Sequence, residues 1–427
     1  MRRLLPAILA LALLAGCAGP QAAVPPTSAP SPAATAAREP TAAPEPTAAS
    51  EATAAPTAAA PAESGTADPE AARAGIQATL EDYVRAYNTN DPQLLQSTVD
   101  QSNAPFRRLV QDRFDTFQRS IQAGTERSLE VVEVAPRDLG FVLATISDGG
   151  GLRYGWLFRE VDGRWLLSEP TERQLGERET LESEHFNYRT YAWADDINPR
   201  IMELMEEAYA VVTERLGAEI DFKPTVDIRP IFGISPPQPA TALAYYRSGS
   251  RPREDRMVIF APNSYAFGFY DSAKGWEGEL RETLVHEFTH LVNQRSFIPI
   301  ASMRDWMYEG LAEYVSDSPR AGQVSLAVQN DKIIPIVDEA GGPNPQDLDH
   351  LYLLERDVSL AYGLSYSLVA YIDQELGGLE KFWELARTMN QVSGTGVARY
   401  DAALQRVFGL SYAEFDAGWR EWLRQNY

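Results

Sequence analysis

The sequence predicts an α+β protein with two folded units, and three observations carry that prediction. Between Pro69 and Gly176, apolar residues recur first at helical spacing and then at the period of two that marks strands. From about Thr180 a strand–helix–strand–strand order gives way to helical patterns that run on through Trp422. Ahead of both lies a stretch without periodicity, residues 18–67, composed almost wholly of Ala, Pro, Thr, Ser and Glu. A chain of 427 residues accommodates two or three domains.

The first residues, Met1-Arg2-Arg3, are basic, and an apolar run from Leu4 to Ala15 follows. That run is too short to cross a bilayer as a helix and reads as a secretory leader. It ends in Leu14-Ala15-Gly16-Cys17, which resembles the bacterial lipobox. The resemblance implies removal of residues 1–16 and acyl chains on Cys17, the only cysteine in the chain. The expected location is therefore the extracytoplasmic side of a bacterial cell envelope, with membrane attachment through the lipid on Cys17. With one cysteine no disulfide forms within the chain, so the fold relies on its core and on a metal.

Residues 17–67 carry the lipidated cysteine and a tether. Its composition cannot bury enough apolar surface to offset chain entropy. Its reach runs from roughly 40 Å as a coil to about 150 Å as extended polyproline. The formal net charge is −22, and loss of Arg2 and Arg3 with the leader makes it two units more negative. Such a surface argues against nucleic acid as a partner and against electrostatic binding to anionic lipid. Anchoring must then come from acyl chains, and more than one is needed.

The first unit spans residues 68–176. Ile76, Leu80, Tyr83, Val84 and Tyr87 recur at helical spacing, and Asn88-Thr89-Asn90-Asp91-Pro92 stops that helix. Leu94–Val99 and Phe106–Gln122 read as further helices. Strands are expected at Leu129–Val134, Phe141–Ser147, Arg153–Arg159 and Trp165–Ser168, with Asp162-Gly163 as a hairpin turn. Helices first and a meander after make an α+β unit. That order, the Tyr87–Asp91 segment and the closing Phe158–Trp165 segment resemble NTF2-like domains. No histidine lies in this unit, so it offers no catalytic set and reads as a structural or partner-binding accessory.

The charge-rich Glu169–Glu184 segment separates the two patterned regions, and the second unit spans residues 177–427. Glu184–Tyr191 reads as a strand, Ile201–Leu216 as an amphipathic helix capped by Gly217, and Thr225–Arg229 as a second strand. Pro230–Pro239 is a proline-rich loop, and Arg256–Ala261 is a strand just ahead of the next helix. Leu360–Leu376, Leu379–Met389 and Tyr412–Trp422 are expected helices.

The chemistry concentrates at Leu284–Asn293, which contains His286, Glu287 and His290 as His-Glu-x-x-His, in a chain with only four histidines. Four residues apart on a helix, the two imidazoles lie about 40° apart and reach one metal ion. Glu287 sits about 100° round from His286, beside the metal, where a carboxylate can take a proton from metal-held water. Leu280, Leu284, Phe288 and Leu291 recur at helical spacing and bury the other side. A catalytic zinc usually has three protein ligands and one open position. Glu309, 19 positions after His290, is the candidate third ligand, within Trp306-Met307-Tyr308-Glu309-Gly310-Leu311-Ala312-Glu313-Tyr314.

His286, Glu287, His290 and the Trp306, Glu309, Gly310 and Ala312 positions resemble the gluzincin metallopeptidases of peptidase clan MA. The resemblance implies a two-lobed catalytic domain, a mixed sheet with helices followed by a helical lobe, and one Zn²⁺ per chain held by His286, His290 and Glu309. It implies Glu287 as general base and a peptide or protein as substrate. It implies a substrate backbone pairing along a sheet edge formed by the strand before the zinc helix, here Arg256–Ala261. Glu313 takes the place of a carboxylate that hydrogen-bonds a ligand histidine, or is a solvated acid. Tyr362, in Tyr362-Gly363-Leu364-Ser365, matches the tyrosine that stabilises the oxyanion, with Ser365 where the family has glycine; Tyr366 is its rival. His350 is a loop histidine and His185 a structural one. No Gly-x-Met-Glu-Asn segment precedes the zinc helix, so the aminopeptidase label does not carry over.

Two functions follow. One is a lipid-anchored extracytoplasmic zinc peptidase. The other is a non-catalytic lipoprotein binding module with a pseudo-peptidase domain and a ligand- or partner-binding NTF2-like domain. The complete set of three ligands and a general base favours the first.

Overall fold

The computed structural model describes residues 69–120, 128–148, 153–231, 243–264, 275–337, 347–354 and 357–427. The leader, Cys17 and the tether lie outside the described residues. The chain is α+β, with two sheets in its N-terminal part and a helical C-terminal region.

Helices α1 (Pro69–Thr89), α2 (Pro92–Ser97) and α3 (Ala104–Ser120) cover one face of an antiparallel meander. Its strands are β1 (Glu130–Pro136), β2 (Phe141–Ser147), β3 (Arg153–Val161) and β4 (Arg164–Leu167), in that spatial order. Asp91 ends one helix and starts the next: its carboxylate accepts the Gln93 and Leu94 amides, both at 3.0 Å, with Pro92 at the first helical position. Asp162 and Gly163 both adopt positive φ, the geometry a two-residue hairpin turn requires. Aromatic rings fill the space between helices and sheet, with Tyr83 5.3 Å from Trp156 and Tyr87 5.0 Å from Phe114. Gly75 lets α1 lie directly on Trp165, whose ring stands 2.3 Å from where a Cβ would be. Because strand side chains alternate, Phe141, Leu143 and Leu157 point to the opposite face, where they meet Leu175, Tyr191 and Trp193 at the start of the second sheet.

That sheet has the order β5-β6-β7-β9-β8: β5 (Arg178–Glu182), β6 (Asn187–Tyr191), β7 (Thr225–Arg229), β8 (Ala244–Arg247) and β9 (Arg256–Phe260). The β6–β7 and β7–β9 pairs are parallel and the outer pairs antiparallel. Helix α4 (Asn198–Leu216) makes the β6–β7 crossover and ends at Gly217 with φ 64°.

Two expectations need correction. The strand before the metal-site helix, β9, is not the sheet edge: it is paired on both sides, and β8 is the edge. Met257-Val258-Ile259-Phe260 is a continuous apolar run, the pattern of a strand buried on both faces and hence central. The charge-rich connection also contains a strand, β5, which is the other edge; its alternating exposed and half-buried residues are the kind of charged surface that blunts an edge.

The helical region comprises α5 (Gly275–Val292), α6 (Asp305–Val315), α7 (Ala321–Gln329), α8 (Val358–Glu375), α9 (Leu379–Met389), α10 (Gly396–Phe408) and α11 (Tyr412–Asn426). Helix α5 packs against α4, α6 and β8, and α6 against α8. The α6–α8 approach is close enough that a Cβ on Gly310 would fall 2.4 Å from the Ser365 carbonyl oxygen. Gly310 therefore sets how deep α6 sits, and with it Glu309.

Candidate metal centre

Helix α5 is held by its apolar side. Leu280, Leu284, Phe288 and Leu291 are fully buried. Phe288 contacts the rings of Phe186 at 5.4 Å and Tyr209 at 5.7 Å. This leaves His286 and His290 facing α6, where Trp306 anchors the first turn. The Trp306 indole donates to the Tyr400 hydroxyl at 2.7 Å, and that hydroxyl donates to Asp349 at 2.5 Å. Anchored there and seated by Gly310, α6 delivers Glu309 to the two histidines.

The three donor atoms converge. His286 Nε2 is 3.2 Å from His290 Nε2 and 3.2 Å from Glu309 Oε2, and His290 Nε2 is 3.5 Å from Glu309 Oε2. Ligand atoms about 2.0–2.1 Å from a tetrahedral zinc stand roughly 3.4 Å apart. The three distances are the edges of one face of such a tetrahedron. His286 is the most exposed of the three, at 14 % of its side chain, against 1 % for His290 and 3 % for Glu309.

Glu287 is buried beside this group and outside it. Its Oε2 accepts the main-chain N–H of Tyr246 on edge strand β8 at 2.8 Å. Burial raises its carboxyl above the usual range, with the two histidines opposing. Glu313 Oε1 lies 3.4 Å from His286 Nδ1, the nitrogen facing away from the donor cluster. The Tyr362 ring is 6.3 Å from that of His286. Tyr366 lies one turn further along α8 and lines a separate cavity of about 670 Å³ with Tyr314 and Asp373. His350 Nδ1 is paired with Asp347 at 2.8 Å, and His185 is paired with Glu206 at 2.6 Å and stacked on Tyr209. Neither belongs to the centre.

Two neighbours escape a sequence reading. The Tyr308 ring lies 5.6 Å from that of His290, inside the Trp306–Gly310 segment but with nothing in its spacing to mark it. Tyr246 acts through its backbone, and a backbone N–H leaves no trace in residue type.

The electrostatics call for a cation. Burial works against charging His286, but Glu309, Glu313 and Glu287 outweigh it and lift the imidazole to about 9. A divalent ion held by His286, His290 and Glu309 would take the place of this proton. Zinc binding at pH 7 is thus expected to release close to one proton, and apparent affinity to rise up to tenfold per pH unit until about pH 9. For the metal-free protein the sign is the reverse. A raised pKa stabilises the fold below the free-histidine range, and that contribution is lost as pH climbs through about 9. Calorimetry in two buffers of different ionisation heat measures the proton count; none released would contradict this balance.

Residues 262–425 match the sequence profile of the Peptidase MA superfamily. No curated protein matches the chain.

Proposed function

We propose, on the premise that residues 262–425 are a metallopeptidase domain of the Peptidase MA superfamily with the metal-binding group His286, His290 and Glu309, that this protein is a zinc-dependent peptidase held outside the cytoplasm by a lipid on Cys17. The observation that carries the catalytic reading is the separation of roles within one buried cluster. Three donor atoms stand at tetrahedral spacing, while a fourth side chain, the carboxylate of Glu287, is tied to the sheet edge instead of joining them.

A zinc ion on the three donors supplies a Lewis acid that activates water and polarises the scissile carbonyl. The chain's own residues do the rest. Glu287, aimed by the Tyr246 N–H and made more basic by burial, accepts the proton of the attacking water and hands it to the leaving amine. The Tyr362 hydroxyl donates to the developing oxyanion. Glu313 holds His286 by its second nitrogen. An extended substrate pairs with β8. Phe260 N–H bonds the Leu243 carbonyl, so Leu243 and Tyr245 face β9, while Ala244 turns its main-chain groups and Tyr246 its carbonyl to the free side, the Tyr246 N–H being held by Glu287.

The first unit is proposed as an NTF2-like accessory domain. The aromatic filling of its interior supports packing or partner binding over a small-molecule pocket.

The test is a cleavage-site profile of unlabelled peptides with the purified protein, with chelator and after zinc is restored. Cleavage abolished by chelator and recovered with zinc is expected; a metal-loaded protein that cleaves nothing would leave a binding module. Anchoring is tested separately. Cys17→Ser is expected to move the protein from the membrane fraction to the soluble fraction, and unchanged partitioning would refute the lipid.

A further inference from the structure

Arg320 lies in no sequence motif, yet it touches two functional side chains at once. It clamps Glu313 with both arms of its fork, Nε to Oε2 at 3.1 Å and Nη2 to Oε1 at 2.9 Å. Glu313 in turn lies 3.4 Å from His286 Nδ1. The same guanidinium sits over the Tyr362 ring, 5.1 Å from its centroid. We propose that Arg320 is a positioning residue that links the metal ligand His286, through Glu313, to Tyr362.

The local fold is built around this contact. Arg320 caps the start of α7 with φ 48° and ψ 42°, a left-handed conformation unfavourable for a side chain of its size. The turn before it is pressed onto α8 at Gly363, the residue after Tyr362. A Cβ there would meet Val324 Cγ2 at 2.7 Å, and both the Arg320 Cβ and the Pro319 carbonyl at 3.2 Å. Glycine at 363 thus lets the turn come close enough for the guanidinium to reach the ring.

Charge balance gives the arrangement its purpose. Glu287, Glu309 and Glu313 put three carboxylates into a nearly dry pocket. A divalent ion offsets two of them, and Arg320 supplies the third positive charge. Glu313 can then accept from His286 without adding an uncompensated charge. The fork grips the carboxylate bidentately while its positive charge stands over the aromatic ring.

This inference rests on the peptidase reading for the role of Tyr362 but not for the zinc. The test uses the full-length protein with zinc affinity by chelator competition and, in parallel, kcat and KM. Arg320→Ala is expected to weaken zinc binding about 10- to 100-fold, the usual effect of losing an outer partner, and to lower kcat with little change in KM. Arg320→Lys restores the charge but not the fork, so it should recover most of the zinc affinity and little of kcat. Glu313→Gln combined with Arg320→Ala should bind zinc no more weakly than the worse single variant, because the two act as one unit. A lowered melting temperature with zinc affinity within twofold of wild type would overturn the proposal and make Arg320 a turn residue. If the wild type hydrolyses no peptide, the peptidase reading fails while the zinc comparison still decides the link from Arg320 to His286.

Discussion

Glu287→Gln is expected to keep about one equivalent of zinc and to lose at least about 10²-fold in hydrolysis, the usual size of a lost general base. The substitution preserves shape and leaves the hydrogen-bond acceptor that Tyr246 N–H meets at 2.8 Å, removing only basicity. Zinc stays because His286, His290 and Glu309 are untouched. His286→Ala is expected to lose both metal and activity, since it removes the donor shared by two of the three close contacts. Metal content by atomic emission and initial rates on one peptide decide the matter. A Glu287→Gln enzyme as fast as wild type would reject the proposed mechanism even with cleavage established.

Tyr362→Phe is expected to lower kcat by roughly 10²-fold with KM little changed, as for a donor that acts only in the transition state. The ring itself remains, so the contacts with Arg320 at 5.1 Å and His286 at 6.3 Å persist and the loss reports on the hydroxyl alone. Tyr366→Phe is the matched control. It points into the cavity shared with Tyr314 and Asp373, away from the metal donors, and should leave kcat near wild type. The opposite pattern would transfer the role to Tyr366. If neither substitution matters, Tyr308, whose ring is 5.6 Å from that of His290, becomes the residue to substitute.

The metal donors were legible in the chain because helical geometry is local. His286 and His290 share a face by their spacing alone, and the apolar residues at 280, 284, 288 and 291 state which side is buried. Glu309 required more, since nothing local brings α6 to α5. Its recognition came from the pattern around it, and the structure supplies the reasons for two of those positions. Trp306 is bolted to Tyr400, 94 residues away, and Gly310 permits the approach to the Ser365 backbone. In the sheet, the edge position that the gluzincin resemblance implies for the strand before the metal-site helix is not where this chain places it. An apolar run says that a strand is covered, but whether a neighbour sits on one side or both depends on where distant segments fold. Here β9 is central and β8 lies beyond it as the edge.

By itself, then, the sequence determined the α+β class, the metal-binding pair on one helix and the carboxylate beside it, all of which follow from residue type and the periods of helix and strand. Only the tertiary structure decided that β8 carries the free edge and that its Tyr246 N–H aims Glu287. It also decided that Tyr362 and not Tyr366 lies by His286, and that Arg320 bridges Glu313 to Tyr362. Those contacts join elements that neither spacing nor periodicity relates: a backbone amide has no residue signature, and a fork reaching two partners depends on how closely α7 and α8 pack.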